Sequence, residues 1–385
     1  VAGRTPATAA RGQSPCGGGM ILARYLANRY FRAFMLLAGV FMALLLLIDM
    51  VEQIRRFADR GITLGEAARL SALSVAGSFY NILPLIGLLA AIMLFLALSR
   101  SSEMVAIRAS GRSGLRCVMA PAIMAALLGA GAVGFLNPIV AATQARYAAA
   151  VAKIEQGQTQ SVSLGDDALW LRQGVGDAGA QMMIRAARAS PDATTLYDAS
   201  FVIYDPDAGP ATRIEARKAV LAEGEWQLSD VKEWSLNTPN PEAEARRADR
   251  LQLPTELTAD RIRDGFGQPQ AVPVWELPAY IAGLQRAGFS ALRHQVWLQM
   301  ELALPLTLAA MVMVASVFTM RHMRGRKAGG LVLSAFIAGM ALFFLRNMAQ
   351  VLGDNAGVPP VLAGWAPPIV AILFAVGLLL QLEDG

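Results

Sequence analysis

The chain has 385 residues, 55% of them hydrophobic and only 16% charged, with a mean hydropathy of +0.43. Soluble domains carry about a quarter charged residues, so this composition argues against an ordinary soluble enzyme and for a membrane. The net charge of +5 rests on arginine, because Lys153, Lys218, Lys232 and Lys327 are the only lysines. That balance fits loops held against acidic lipid as well as it fits nucleic acid. Apolar runs of about 18 residues or more decide for the membrane and against a nucleic-acid partner. Cys16 and Cys117, the only cysteines, make neither a disulfide framework nor a zinc site.

In chain order, residues 1–19 are small, polar and rich in Gly and Pro. They are expected to be a disordered tail, with Met20 a candidate first residue, and they hold no apolar core for a signal peptide or lipoprotein anchor. Six spanning helices are expected, near Phe31–Val51, Ser74–Leu98, Leu115–Leu136, Leu298–Phe318, Ala328–Val351 and Leu362–Leu382. Each is about 20 residues, enough to cross the hydrocarbon core. They form two halves, 20–136 and 296–385, around one insert. Basic residues set the orientation: Arg24, Arg29 and Arg32 at the start, Arg100, Arg108, Arg112 and Arg116 in the second-to-third loop, and Arg321, Arg324, Arg326 and Lys327 in the fourth-to-fifth loop. The positive-inside rule puts these on the cytosolic side, together with both termini.

The insert, 137–272, then faces the other way. Its segments MMIRAARAS, TLYDASFVIYD and TRIEARKAVLAEGEWQLSDVKEWSL alternate apolar and polar with a period near two, separated by turn signals at Asp205–Pro210 and Glu223–Glu225. The expectation is an antiparallel all-β domain, a sandwich of jelly-roll type or an open barrel. A linker, 273–295, follows, and Leu277, Tyr280, Ile281 and Leu284 fall on one helical face. This amphipathic helix is expected to lie at the membrane surface. The fold class is thus a polytopic α-helical membrane protein of six transmembrane helices, with an inserted periplasmic β domain between the third and fourth.

No residue set points to catalysis. The sequence contains no Gly-Lys dipeptide and therefore no Walker A loop. His294 and His322 fall on opposite sides by this topology, and Asp166-Asp167 read as turn residues. No enzyme, no metal site and no cofactor in this chain are expected. Two other groups stand out. In the loop SRSSEMVAIRASGRSGLR, Ser101 and Ser102 are helix N-cap candidates and Glu103 sits in the first turn, where a helix dipole favours an anion. Met104, Val105, Ile107 and Ala109 give an apolar side, Arg108 a charge, and Gly111 a stop. A short helix near 101–111 could lie on lipid headgroups or dock on a cytosolic partner. At the far end of the first span, Glu52, Arg55 and Arg56, with Asp49, Asp59 and Arg60, form either an interfacial anchor or a rim of guanidiniums that pairs with phosphate. Arg346, within the fifth span, should face protein or a wet cavity, unless it snorkels to the interface.

The stretch Ser102-Glu103-Met104-Val105-Ala106-Ile107-Arg108-Ala109-Ser110-Gly111-Arg112-Ser113 resembles the loop signature of the LptF/LptG permeases of the lipopolysaccharide export transporter. Leu83-Pro84-Leu85, Ala303-Leu304-Pro305 and the segment Gly357–Pro367 resemble that family too, as does the six-span architecture, from Met20 onward. The resemblance is to the LptG type more than the LptF type. It implies that the loop, through Ser102, Glu103, Met104, Ile107, Arg108 and Gly111, couples to a separate cytosolic ATPase dimer (LptB-like), which hydrolyses the ATP. It further implies that Arg55 and Arg56, with Glu52 and Arg346, serve lipid binding, and that the first and fifth spans line a lateral gate and cavity. The implied partners are a homologous six-helix permease (LptF-like), a periplasmic bridge component (LptC/LptA-like) and lipopolysaccharide, all at a bacterial inner membrane. Asp49, Arg112 and Glu301 depart from the family pattern. The rival readings are a non-transporting membrane scaffold and a lipoprotein-type exporter.

Overall fold

The computed structural model describes residues 17–58, 63–101, 103, 114–154, 161–164, 169–175, 180–190, 194–205, 209–222, 224–255, 257–258, 262, 268–286, 289–320 and 328–384. The first helix, α1 (Gly17–Arg56), is an unbroken rod of 40 residues, built largely from Ala, Leu and Met, which lose little side-chain freedom in a helix. Next comes α2 (Leu64–Asn81), opened by a capping box: the Thr63 hydroxyl accepts from the Glu66 amide, and the Glu66 carboxylate accepts from the Thr63 amide at 2.9 Å. At Ile82 the chain leaves the helix, and Pro84 sits in the first turn of α3 (Leu83–Arg100). Proline suits a first turn because its missing N–H is not needed there. The expected second span, Ser74–Leu98, is therefore two helices meeting at Ile82.

The next helix, α4 (Gly114–Gly131), passes through a π-helical segment, Ala132–Leu136, and continues as α5 (Asn137–Ile154). Where the sequence suggested that the β domain begins at 137, helix persists for 18 more residues, and the first strand opens at Ser161. The fourth span is likewise bent: α7 (Leu292–Leu302) and α8 (Leu304–Thr319) meet at 53° around Ala303, with Pro305 in the first turn of α8. Finally come α9 (Ala328–Asp354) and α10 (Pro360–Asp384). Among the described residues, five helices are long and apolar enough to cross a membrane, and the bent α7/α8 pair makes a sixth if it is one span. Packing centres on α8, where Leu308, Ala310, Met311, Val312 and Ala315 are all fully buried against Ile86, Leu88 and Phe95 of α3 and neighbours on α4. The α7/α8 bend is gripped on two sides. A Cβ on Gly129 would lie 2.6 Å from the Pro305 Cα, and one on Gly364 would lie 2.7 Å from the Gln299 carbonyl carbon.

Seven antiparallel strands, in sequence order, form one sheet: β1 (Ser161–Leu164), β2 (Leu169–Val175), β3 (Ala180–Ala189), β4 (Thr195–Asp205), β5 (Gly209–Ala222), β6 (Glu225–Ser235) and β7 (Arg246–Pro254). The described strands are thus one up-and-down meander, nearer to the open barrel than to the sandwich of the two forms expected from the alternation. Alternation itself holds, since Leu171, Ile184, Phe201, Ile214, Trp226 and Leu228 line one apolar face. A single meander leaves that face to be covered, and α6 (Leu277–Arg286) helps to cover it: Ile281 and Leu284, with Phe289 beyond it, join the β-domain core. The amphipathic stripe thus packs into the β-domain core through Tyr280, Ile281 and Leu284. One transverse row, Ala187, Asp198, Arg217, Asp230 and Asp249, drops out of the ladder while both flanking rows pair in unchanged register. Asp198 and Asp230 are left-handed there, at φ 52° and 54°, and Arg217 pairs with Asp230 at 2.9 Å. Trp226, fully buried and edge-on to Phe201 at 6.2 Å, is the largest side chain of this core. Trp226→Ala is expected to destabilise the β domain by about 3–5 kcal/mol, read as earlier proteolysis of the domain on heating while the helical part stays intact.

Candidate functional site

The loop glutamate lies at the foot of the first helix. Glu103 is half-buried, and its two oxygens take bonds from Arg29 Nη1 at 3.1 and 3.0 Å, from the Tyr25 hydroxyl at 3.1 Å and from the Ser101 hydroxyl at 2.8 Å. Arg29 also reaches the Tyr25 oxygen at 2.5 Å, one helical turn away on α1. Ser101 closes α3, its amide donating to Ala97, where the sequence suggested that it opens the loop helix. The Ser101 hydroxyl foremost, with Arg29 and Tyr25, holds the Glu103 carboxyl below the usual carboxylate range, against a smaller opposing effect of burial. An ionised Glu103 therefore ties the end of α3 to the start of α1. Ser102, Met104, Ile107, Arg108 and Gly111 lie outside the described residues. Sequence reasoning used Arg29 only to orient the chain and overlooked Tyr25, although their i, i+4 spacing put both on one face of α1.

At the other end of α1 the side chains divide by face. Asp49 accepts from the Ser74 hydroxyl of α2 at 2.5 Å, and buried Gln53 donates to the Tyr147 hydroxyl of α5 at 3.0 Å. These bonds stitch α1 to α2 and α5, which gives the departing Asp49 a structural task. Glu52 and Arg55 stand exposed on the other side, 3.7 Å apart at i, i+3, a pair too solvated to add much stability. Arg56 lies over the Phe57 ring at 5.2 Å. Asp59 and Arg60 lie outside the described residues.

A third group sits between the helices. Glu301, 1% exposed in the last turn of α7, accepts from the Tyr80 hydroxyl and from Asn137 Nδ2, the latter at 3.2 Å. Arg346 of α9 is 9% exposed, turned into the protein, with Glu301 and Tyr80 as its electrostatic neighbours. The acid that looked out of place beside Ala303-Leu304-Pro305 is thus buried in the helical interior, as is its electrostatic neighbour, the arginine within the fifth span. Between α8, α9 and α10 lies an apolar cavity of about 280 Å³, lined by Val314, Phe318, Leu342, Leu345, Val370 and Phe374 among others. Among the described residues no group of His, Cys, Asp and Glu could hold a metal.

Apolar helices of membrane-crossing length packed around buried polar side chains, with a separate antiparallel β sheet, fit a membrane permease with a β insert. A family model described as lipopolysaccharide export system permease LptF/LptG matches residues 24–381, and the chain belongs to that family. It is similar to the lipopolysaccharide export system permease protein LptG of Escherichia coli K12, 23% identical over 371 residues that cover 94% of this chain and 98% of that protein. Similarity to the LptG protein of Haemophilus influenzae is 22% over 371 residues, covering 94% and 99%. The family is one of transport subunits, not enzymes.

Proposed function

We propose that this chain is the LptG-type subunit of an ABC transporter that extracts lipopolysaccharide from the outer leaflet of the inner membrane. Both termini and the Glu103 loop face the cytosol, and the β domain faces the periplasm. A homologous six-helix permease of LptF type stands opposite, so that the first and fifth spans of the two chains enclose a cavity. Two copies of an LptB-like ATPase bind the loops, hydrolyse ATP and, by closing, push the loops together and collapse the cavity. The glycolipid then passes along the apolar side of the β domain toward an LptC/LptA-like bridge. The observation that carries this reading is the anchoring of Glu103 to Arg29 and Tyr25, because it links the loop to the foot of α1, a helix that would line the cavity. Exposed Arg55, beside Arg56, suits phosphate recognition, since a planar guanidinium matches phosphate in two-point fashion.

Photo-crosslinking from positions 55 and 56 in membranes tests the cargo. Trapped phosphorylated glycolipid is the expected product. Acylated protein in its place identifies a lipoprotein exporter, and absence of any lipid adduct favours a scaffold.

A further inference from the structure

Three irregularities interrupt the described membrane helices, and each lies beside one residue of the Glu301 cluster. Tyr80 stands two residues before the Ile82 break between α2 and α3, Asn137 directly follows the π-helical segment, and Glu301 precedes the 53° bend at Ala303. All three side chains are buried, at 3%, 2% and 1% exposure. Asn137 is bifunctional: its Nδ2 donates to Glu301 at 3.2 Å, and its Oδ1 accepts from the Val274 amide at 2.8 Å. Val274 lies just ahead of α6, whose apolar side packs into the β-domain core. One side-chain amide therefore joins the bend of the fourth span to the strap that enters the β domain. The bend itself has little room to yield, given the close approaches at Gly129 and Gly364. Buried polar groups in a low-dielectric interior are costly to leave unpaired, so this bonding pattern resists being broken.

We infer that Tyr80, Asn137 and Glu301 form a joint that passes movement of the broken membrane helices to the β domain through Val274. Tyr80 and Asn137 are positioning residues. Tyr80 fixes the Glu301 carboxylate at the bend, and Asn137 transmits its position to the strap. This inference rests on the transport reading above, since it assigns the step that follows collapse of the cavity.

The test uses the complete transporter in proteoliposomes containing lipopolysaccharide, with photo-crosslinkable residues in the β domain and parallel measurements of ATP hydrolysis and thermal stability. Two variants are compared, Asn137→Leu, which removes both bonds with the same branching, and Tyr80→Phe, which removes one hydroxyl. The expected result is ATP hydrolysis within about twofold of the parent while ATP-dependent arrival of glycolipid at the β domain falls about tenfold or more, the size of a typical coupling effect. Unchanged arrival in both variants overturns the joint. So does a parallel fall of hydrolysis, arrival and melting temperature, which marks a purely structural role. If the parent transporter itself delivers no glycolipid, the transport reading fails and not the joint alone.

Discussion

Glu301→Ala is expected to destabilise the helical part by about 1–3 kcal/mol, because it removes a buried acceptor that is also the electrostatic neighbour of the buried Arg346 guanidinium. It also strands the Tyr80 hydroxyl and the Asn137 amide, each buried and each donating to the lost carboxylate. Arg346→Met alone is expected to destabilise less, since the Tyr80 hydroxyl and the Asn137 amide still donate to Glu301. The pair together should lose less than the sum of the two, because neither charge then remains to be compensated. A double-mutant cycle of thermal unfolding in detergent measures this directly. Additive losses would mean that the two charges act independently and that the interior cluster has been misread.

Glu103→Ala should have the opposite profile, with folding intact and function lost. Its partners lie at the surface, with Glu103 and Arg29 each about a third exposed, and such pairs contribute at most about 1 kcal/mol. Lipid extraction is expected to fall about tenfold or more, with weaker co-purification of the ATPase. Arg29→Ala and Tyr25→Phe remove anchors but not the carboxylate, so they should retain ATPase binding and lose less extraction than Glu103→Ala. Because the Glu103 carboxyl is held below the usual range, its contacts persist at neutral pH and loosen only as pH falls through that lowered value. Full extraction by Glu103→Ala would remove the loop from the coupling route.

The parts legible in the sequence were those encoded by local periodicity. Apolar runs marked the spans, and alternation marked the strands that bury Phe201 and Trp226. Breaks were harder to read, although Leu83-Pro84 and Ala303-Leu304-Pro305 carried the signal, because proline in a first helical turn looks the same as proline within an apolar run. The π-helical Ala132–Leu136 left no trace, being plain apolar sequence, and the insert expected from residue 137 opens as helix. A meander and a jelly roll share the same alternation, so only the pairing order separates them. Site residues divided in the same way. Glu103 stood out in its loop, but its anchor Arg29 is 74 positions distant. Glu301 was noticeable as a departure from the family pattern, whereas Tyr80 and Asn137 lie 221 and 164 positions away. Contacts at such separation are set by packing and have no local signature.

The central claim is that this chain converts a separate ATPase's cycle into movement of lipopolysaccharide. Its most direct test is reconstitution of the chain with the proposed homologous permease and P-loop ATPase, in vesicles loaded with lipopolysaccharide, followed by a pull-down of glycolipid onto a soluble periplasmic acceptor. The account predicts transfer that requires ATP and is lost with Glu103→Ala. Transfer independent of ATP, or a complex that hydrolyses ATP and moves no glycolipid, would contradict it.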